Sequence, residues 1–328
     1  MTAILTIHDV FSLIDSELKE IESAYADYLK TNVSLIPKIS EHIILSGGKR
    51  LRPALLILTM KMLGNQSYSG TAMAAVIEFI HTATLLHDDV VDQADMRRGL
   101  AAANIIWGNE ASVLVGDFLF STSFDLAVDQ ENLKILKALS SATKRLAEGE
   151  ILELMKTADI TTTEDDYLAI IEGKTAILMA IACEIGSLLA DADHEKQSMM
   201  KAFGLHLGMA FQMVDDVLDY TSREEDLGKA IGIDLEEGKL TLPLIYTMQQ
   251  ASQEEREHLQ EIILADFVSP EDFTHVYQLL TKYKGIQFTM NRARQHIETS
   301  KSLLSPTEPS LFRDALLFVA DYVIDRNR

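Results

Sequence analysis

The chain predicts an all-α fold, and three observations carry that expectation. Its six prolines are Pro37, Pro53, Pro243, Pro270, Pro306 and Pro309, so Ala54 to Leu242 is proline-free. A proline inside a helix costs roughly 3 kcal/mol, and a long stretch without one suits consecutive helices. There is no Asn-Gly or Asp-Gly pair to mark a tight hairpin, and little sustained apolar/polar alternation to mark a strand. Ala74–Leu86 and Ala202–Leu218 are apolar around most of their circumference, as in helices buried on all sides of a large bundle.

Taken in order, Arg52–Leu63, Ala72–Asp92, Glu110–Val128, Leu133–Met155, Glu164–Leu189 and Glu195–Tyr220 read as helices. Gly228–Lys239, glycine-containing and of mixed charge, reads as a loop between helices, and residues 266–307 as peripheral helices. No linker, tandem repeat or low-complexity tract interrupts the chain, so residues 1–328 are expected to form a single all-helical domain.

Composition narrows the function. Apolar residues make up 47% and charged residues 24%, as in ordinary water-soluble globular proteins. A formal net charge of −21 argues against a nucleic-acid partner, which calls for a cationic surface. Cys183 is the only cysteine, which excludes an intrachain disulfide and a thiolate metal cluster. The N-terminal residues lack the basic-then-apolar order of a signal peptide, and no uncharged apolar run of about 18 residues marks a membrane span. These features predict a cytoplasmic protein.

The strongest feature is a pair of similar aspartate clusters well over a hundred residues apart. LLHDDVVD carries Asp88, Asp89 and Asp92; FQMVDDVLD carries Asp215, Asp216 and Asp219. Residues four apart share a helix face, so each cluster presents its carboxylates together at the end of an apolar segment. Two carboxylates about 4 Å apart repel by roughly 4 kcal/mol at an effective dielectric near 20. Protonation relieves that repulsion, and so does a divalent cation. With oxygen ligands alone the ion is hard, and magnesium, which accepts few carboxylates plus substrate phosphates, is the natural candidate. A single DDxxD is more simply a solvated helix end; two on otherwise buried helices favour metal with a diphosphate.

Cations fall in compact groups. GGKRLRP supplies Lys49, Arg50 and Arg52 just before a helix that begins near Pro53, where backbone amides also favour an anion. Arg97 and Arg98 follow the first cluster, Lys174 follows Gly173, and Lys229 and Lys239 flank the glycine-containing loop. Any one of these, taken alone, reads as a surface charge. His81 stands two turns before Asp88 on an apolar helix, where a lone histidine is more often a core residue.

In these motifs and their order, the chain resembles the trans-isoprenyl diphosphate synthases, or polyprenyl synthetase family. The likeness runs from Ser46 to Tyr246 and returns at DYVIDRNR. It rests on GGKRLRP, HDDVVDQADMRRG, WGNEASVLVGDF, Gly173-Lys174-Thr175, FQMVDDVLDY and LGKAIGIDLEEGKLTLPLIY. The resemblance implies the isoprenoid synthase fold, a helical bundle around a central cavity, usually as a homodimer and in some long-chain members with a small accessory subunit. It implies an allylic diphosphate and isopentenyl diphosphate as substrates, and about three magnesium ions on the allylic diphosphate.

In that pattern Asp88, Asp89 and Asp92, with Asp215 opposite and Asp216 and Asp219 alongside, match the metal cluster. Arg97, Lys174, Gln212 and Lys229 match the grip on the allylic diphosphate. Lys49, Arg52, His81 and Arg98 match the isopentenyl diphosphate pocket, with Lys239 also a substrate-binding candidate. Thr175 and Gln212 lie where the family shields the carbocation with oxygen dipoles. The chain departs from the pattern at Ala230, where proline is frequent, and at Glu153, where glutamine is common; Arg326 and Arg328 supply the basic C-terminal ending.

Product length is read from Ala83 and Thr84, five and four residues before Asp88, where bulky aromatics in the family stop chain growth. Both are small here, and the first cluster has no insertion. Phe79 is either a deeper stopper or ordinary core. Since a helix rises about 5.4 Å per turn, comparable to one isoprene unit, the expected product is an all-trans chain of roughly six to ten units, suited to a quinone side chain. The alternatives are a farnesyl or geranylgeranyl diphosphate synthase, a terpene cyclase, which would not need the GGKRLRP pocket, and a non-catalytic partner subunit, in which one cluster would have decayed.

Overall fold

The computed structural model describes residues 6–65, 70–221, 232–265 and 267–326. Those residues are overwhelmingly helical, as the sequence predicts, and their only strands form one short hairpin. The chain divides into two compact units. The first comprises Met1–Thr143, Leu178–Gly204 and Leu303–Val319; the second comprises Lys144–Ile177, Leu205–Ser302 and Ala320–Arg328.

The first unit opens with α1 (Ile7–Ser12), α2 (Asp15–Tyr28), α3 (Leu35–Leu45) and α4 (Leu51–Met62). Its central element is α5 (Thr71–Val91), which packs against α2, α4 and α7 (Asn109–Val128). Val76, Ile77, Phe79, Ile80 and Ala83 of α5 are fully buried, as expected of a helix that is apolar all round. Lys61 and Glu17 form an interior ion pair at 2.5 Å.

After α5 the chain forms a hairpin, β1 (Met96–Arg97) with β2 (Leu100–Ala101), and then the short α6 (Ala103–Trp107). Arg98 and Gly99 both take positive φ, 52° and 78°, the geometry of a two-residue type I′ turn. The hairpin escapes a search for Asn-Gly or Asp-Gly because arginine holds its first turn position. The helix α7 is long and apolar enough to cross a membrane by length and composition, and only a third of that window is buried, whereas the sequence reading anticipated no such segment. Its carboxylates Glu110, Asp117 and Asp125 kept it from reading as an uncharged run.

The second unit holds most of α8 (Leu133–Lys156), α9 (Glu164–Ile171) and the C-terminal part of α11 (His194–Thr221). It continues through α12 (Ile233–Glu236), α13 (Leu242–Gln250), α14 (Gln253–Ile263) and α15 (Pro270–Lys282) to α16 (Gly285–Leu304). Capping boxes start α9 at Thr163/Asp166, α14 at Ser252/Glu255 and α15 at Ser269/Asp272, each satisfying two otherwise orphaned amides. The single helix predicted over Glu164–Leu189 is broken by a π turn at Glu172–Ala176 before α10 (Ile177–Leu189). Such turns concentrate at functional sites. The last helix, α17, is Leu311–Asp325.

Candidate active site

In the first unit the predicted cations converge on His81. Arg52 Nη1 lies 3.2 Å from His81 Nε2. Burial, reinforced by the charges of Arg52, Arg98 and Arg97, holds the imidazole well below its ordinary range, so the ring is neutral and accepts from Arg52. His81 is therefore a member of an arginine cluster and not simply a core residue. The glycine pair before these residues has a physical use. Gly47 sits at φ +95°, and a Cβ on Gly48 would stand 3.1 to 3.3 Å from the Arg98 guanidinium, so the loop backbone lies directly against that group. Lys49 is exposed on the same loop. Arg50, by contrast, is structural: it pairs with Glu78 at 3.3 Å and donates to the Ile44 carbonyl.

The first aspartate cluster ends α5, with Asp92 as its C-cap. Asp89 is fully buried. Its Oδ1 accepts from Arg97 Nε at 2.7 Å and from Arg97 Nη2, while its Oδ2, also buried, has no hydrogen-bond partner. Asn104 of α6 donates to the Asp89 and Ala94 carbonyls at 3.1 and 3.2 Å, which fixes the turn after the helix. Asp88 and Asp92 are half-buried on the adjoining face. A buried carboxylate oxygen left open beside two further carboxylates is the donor set a hard divalent cation takes.

Upstream on α5, Ala83 and Phe79 are fully buried. The Phe79 ring packs on Tyr25 at 5.4 Å and edge-on to Tyr28 at 6.3 Å, which places it in the α2–α5 packing. Thr84 is half-buried and returns its hydroxyl to the His81 carbonyl at 2.8 Å.

In the second unit, two glycine contacts bring the motifs together. A Cβ on Gly149 of α8 would fall 2.7 Å from the Lys174 nitrogen, and one on Gly208 of α11 would fall 2.5 Å from the Ala176 Cα. The π turn is thus pressed against both helices. Thr175 donates to Gln212 Oε1 at 2.8 Å, and Gln212 Nε2 donates to Asp216 Oδ1 at 2.8 Å. Tyr167 donates to the other oxygen of Asp216 at 2.5 Å. Burial, with the charges of Asp215 and Asp219, still pushes Asp216 up to about 7.

Asp219 Oδ2 accepts from the Asp234 amide at 3.2 Å. Burial and the charges of Asp219 and Asp216 raise Asp234 well above the usual carboxylate range. Asp215 pairs with Arg326 at 2.8 Å; the guanidinium lies over the Phe211 ring at 3.8 Å and donates to the Phe211 carbonyl. Four carboxylates crowded to the point of holding a proton also fit a hard divalent cation.

Lys174 contacts Glu153 and, at 3.1 Å, Glu150; Lys239 lies 3.7 Å from Glu153 and 2.7 Å from Glu237. Lys229 and Ala230 lie outside the described residues, as does Arg328. Sequence reasoning assigned no role to Tyr167 or Asp234 and left Glu153 and Arg326 undefined. Asp234, inside LGKAIGIDLEEG, was within reach of the motif; Tyr167 carries no local signal and joins the site only through α9 packing.

The model of the Polyprenyl synthetase family matches residues 33–280. An octaprenyl diphosphate synthase of Haemophilus influenzae is 37% identical over 324 residues, covering 99% of this chain and 98% of that protein. An all-trans-nonaprenyl-diphosphate synthase of Rhodobacter capsulatus is 38% identical over 319 residues, covering 97% of each. Among solved structures, a polyprenyl synthase of Caulobacter crescentus complexed with calcium and isoprenyl diphosphate superposes with a TM-score of 0.94 at 37% identity, covering 98% of each chain. With the fold, the paired aspartate motifs and these likenesses in agreement, the chain belongs to the polyprenyl synthetase family.

Proposed function

We propose that this chain is a magnesium-dependent prenyltransferase. It condenses an allylic diphosphate with successive isopentenyl diphosphate units to give an all-trans medium- or long-chain polyprenyl diphosphate, destined for a quinone side chain. The observation that carries the reading is the state of the aspartates. Asp89 keeps a buried oxygen without a hydrogen-bond partner, and Asp216 is pushed up to about 7 among Asp215 and Asp219. Neutral residues of similar shape would be cheaper in both places unless a cation binds there. The octaprenyl and nonaprenyl products named for the relatives support the longer chain length.

In this reading Asp88, Asp89, Asp92, Asp215, Asp216 and Asp219 hold magnesium, with about three ions per substrate. When bound, magnesium acts as a Lewis acid on the phosphate oxygens and eases departure of the allylic diphosphate. Arg97, Lys174, Gln212, Lys229 and Lys239 bind that diphosphate and neutralise it as it leaves. Lys49, Arg52, His81 and Arg98 bind isopentenyl diphosphate, the neutral His81 acting as a hydrogen-bond partner rather than a charge. The hydroxyl of Thr175 and the amide of Gln212, already bonded to each other, turn oxygen dipoles toward the developing allylic cation. The double bond of isopentenyl diphosphate attacks that cation, and the departed diphosphate takes the proton lost. Ala83 and Thr84, both small, set no aromatic ring against the growing chain, and Phe79, packed on Tyr25 and Tyr28, is read as core.

Residues 1–328 act as one catalytic domain in this account. A homodimer, with a small accessory subunit as a further option, is supported by the apolar side chains that α6 and α7 leave exposed, among them Ile105, Val113 and Leu114. A cytoplasmic location accords with the buried, unpaired thiol of Cys183.

The test is product analysis of purified protein given farnesyl diphosphate and isopentenyl diphosphate, with and without magnesium. Magnesium-dependent release of diphosphate with a medium- or long-chain polyprenyl product is expected. A product that stops at farnesyl or geranylgeranyl diphosphate removes the long-chain part. Cyclic products or alcohols indicate a cyclase, and absence of turnover indicates a partner subunit.

A further inference from the structure

Glu153 is the residue on which two lysines of the second unit converge. It stands on α8 one turn after Glu150. The Lys174 ammonium contacts Glu153 Oε2 and lies 3.1 Å from Glu150 Oε2. The Lys239 ammonium lies 3.7 Å from the same Glu153 Oε2 and 2.7 Å from Glu237. All of these side chains are largely shielded; Glu153 is 18% exposed and Lys239 16%. The Gly149–Gly173 contact sets this up, because it presses the π turn bearing Lys174 onto the turn of α8 bearing both glutamates. Two ammonium groups are therefore held among three carboxylates, with a net negative balance at a place where an anionic substrate has to bind.

We propose that Glu153 is a competitor built into the diphosphate seat. In the empty enzyme it occupies Lys174 and Lys239, and an arriving diphosphate takes them by displacing its carboxylate. The inference rests on the reading above that these two lysines grip a diphosphate. Its chemical basis is that a carboxylate and a phosphate oxygen offer an ammonium group equivalent charge-assisted hydrogen bonds. The exchange is therefore close to balanced, and removing one competitor shifts it. Glu153 thus sets the affinity for diphosphate and eases release of the diphosphate formed at each condensation. A chain-elongating enzyme passes through that release once per added unit. A neutral glutamine at this position leaves the volume and the hydrogen-bonding reach but removes one carboxylate that both lysines share, so phosphate then competes with Glu150 at Lys174 and with Glu237 at Lys239.

The experiment is calorimetric titration of the full-length protein with inorganic diphosphate in the presence of magnesium, near neutral pH and at two salt concentrations. Glu153→Gln is expected to lower the Kd for diphosphate about fivefold, the scale of one partly exposed ion pair, and to steepen its salt dependence. Glu237→Gln, which removes a charge that touches Lys239 alone, is expected to have a clearly smaller effect. An unchanged or weakened Kd in Glu153→Gln overturns the proposal, and so does an equal gain in Glu237→Gln, since general charge would then explain both. Lys174→Gln separates the underlying reading. If it leaves the Kd unchanged, Lys174 is not a diphosphate ligand; if it weakens binding while Glu153→Gln fails to tighten it, only the role of Glu153 falls. Should Glu153→Gln not fold, Glu153→Asp, with one methylene less reach toward the lysines, is expected to give an intermediate tightening, and its absence would count against the proposal.

Discussion

Tyr167 donates its hydroxyl to Asp216 Oδ2 at 2.5 Å, from a helix that belongs to neither aspartate motif. The bond steadies a carboxylate that burial otherwise drives toward protonation, and Gln212 supplies the second donor. Tyr167→Phe removes one of the two donors and raises the Asp216 carboxyl further. Its protonated form then competes with magnesium at a higher pH. The variant is expected to require more magnesium, to lose about tenfold in kcat/KM at neutral pH, and to recover part of that loss as pH rises. A wild-type magnesium requirement and pH profile would show that Tyr167 does no more than pack.

Arg97 is the counter-ion that makes a fully buried Asp89 tolerable. Arg97→Gln leaves that carboxylate uncompensated and is expected to cost about 3 kcal/mol of stability. Adding Asp89→Asn removes the stranded charge and should restore much of the loss, although catalysis stays impaired. Urea unfolding of the two single variants and the double variant measures the coupling; strict additivity of the two losses would contradict the pairing.

Ala83 lies one turn from Phe79, at a position with no exposed surface. Ala83→Phe is expected to shorten the products when they are analysed by chromatography. It should also destabilise the protein by about 1–3 kcal/mol, because a ring replaces a methyl group at a fully buried position. Unchanged product length in a folded variant would assign the limit to another residue.

His296 and His206 face each other with their Nδ1 atoms 2.9 Å apart. Burial, then the proximity of His206 and Arg292, brings His296 down to about 4. Because the folded value lies below the unfolded one, the unfolded chain binds the extra proton between them. Stability from this site is therefore complete above about 6.5 and is lost as pH falls toward about 4. Full burial would make the effect about 3 kcal/mol; partial exposure of the ring reduces it to about 1 kcal/mol. Thermal unfolding between pH 7 and pH 4.5 should fall less steeply in His296→Gln than in the parent. Equal slopes would remove the pair from the acid response.

Much of the candidate site's local geometry was legible in advance because it is built from short motifs at helical spacing. Asp88 and Asp92, Gln212 and Asp216, and the run Lys174–Thr175 each bring their groups together through local geometry alone. The glycines were legible as markers rather than as contacts: GGKRLRP announces a special loop, but only the folded chain lays Gly48 against Arg98. Phe79 shows the limit most clearly. Its position on α5 makes it a plausible tunnel stopper, while its tilted and edge-on contacts with Tyr25 and Tyr28 depend on a helix some fifty residues earlier in the chain.

The amino-acid sequence by itself determined that this protein is helical, that it carries two acidic motifs suited to a hard cation, and which family it resembles, because helix periodicity and motif spacing are properties of neighbouring residues. Tertiary structure decided which groups share each site: Tyr167 and Asp234 with Asp216, Arg326 with Asp215, and Glu153 with Lys174 and Lys239. The physical reason is that burial and charge at each carboxylate arise from elements distant in the chain. Hydrogen-bond partners and proton affinities are therefore set only when those elements pack.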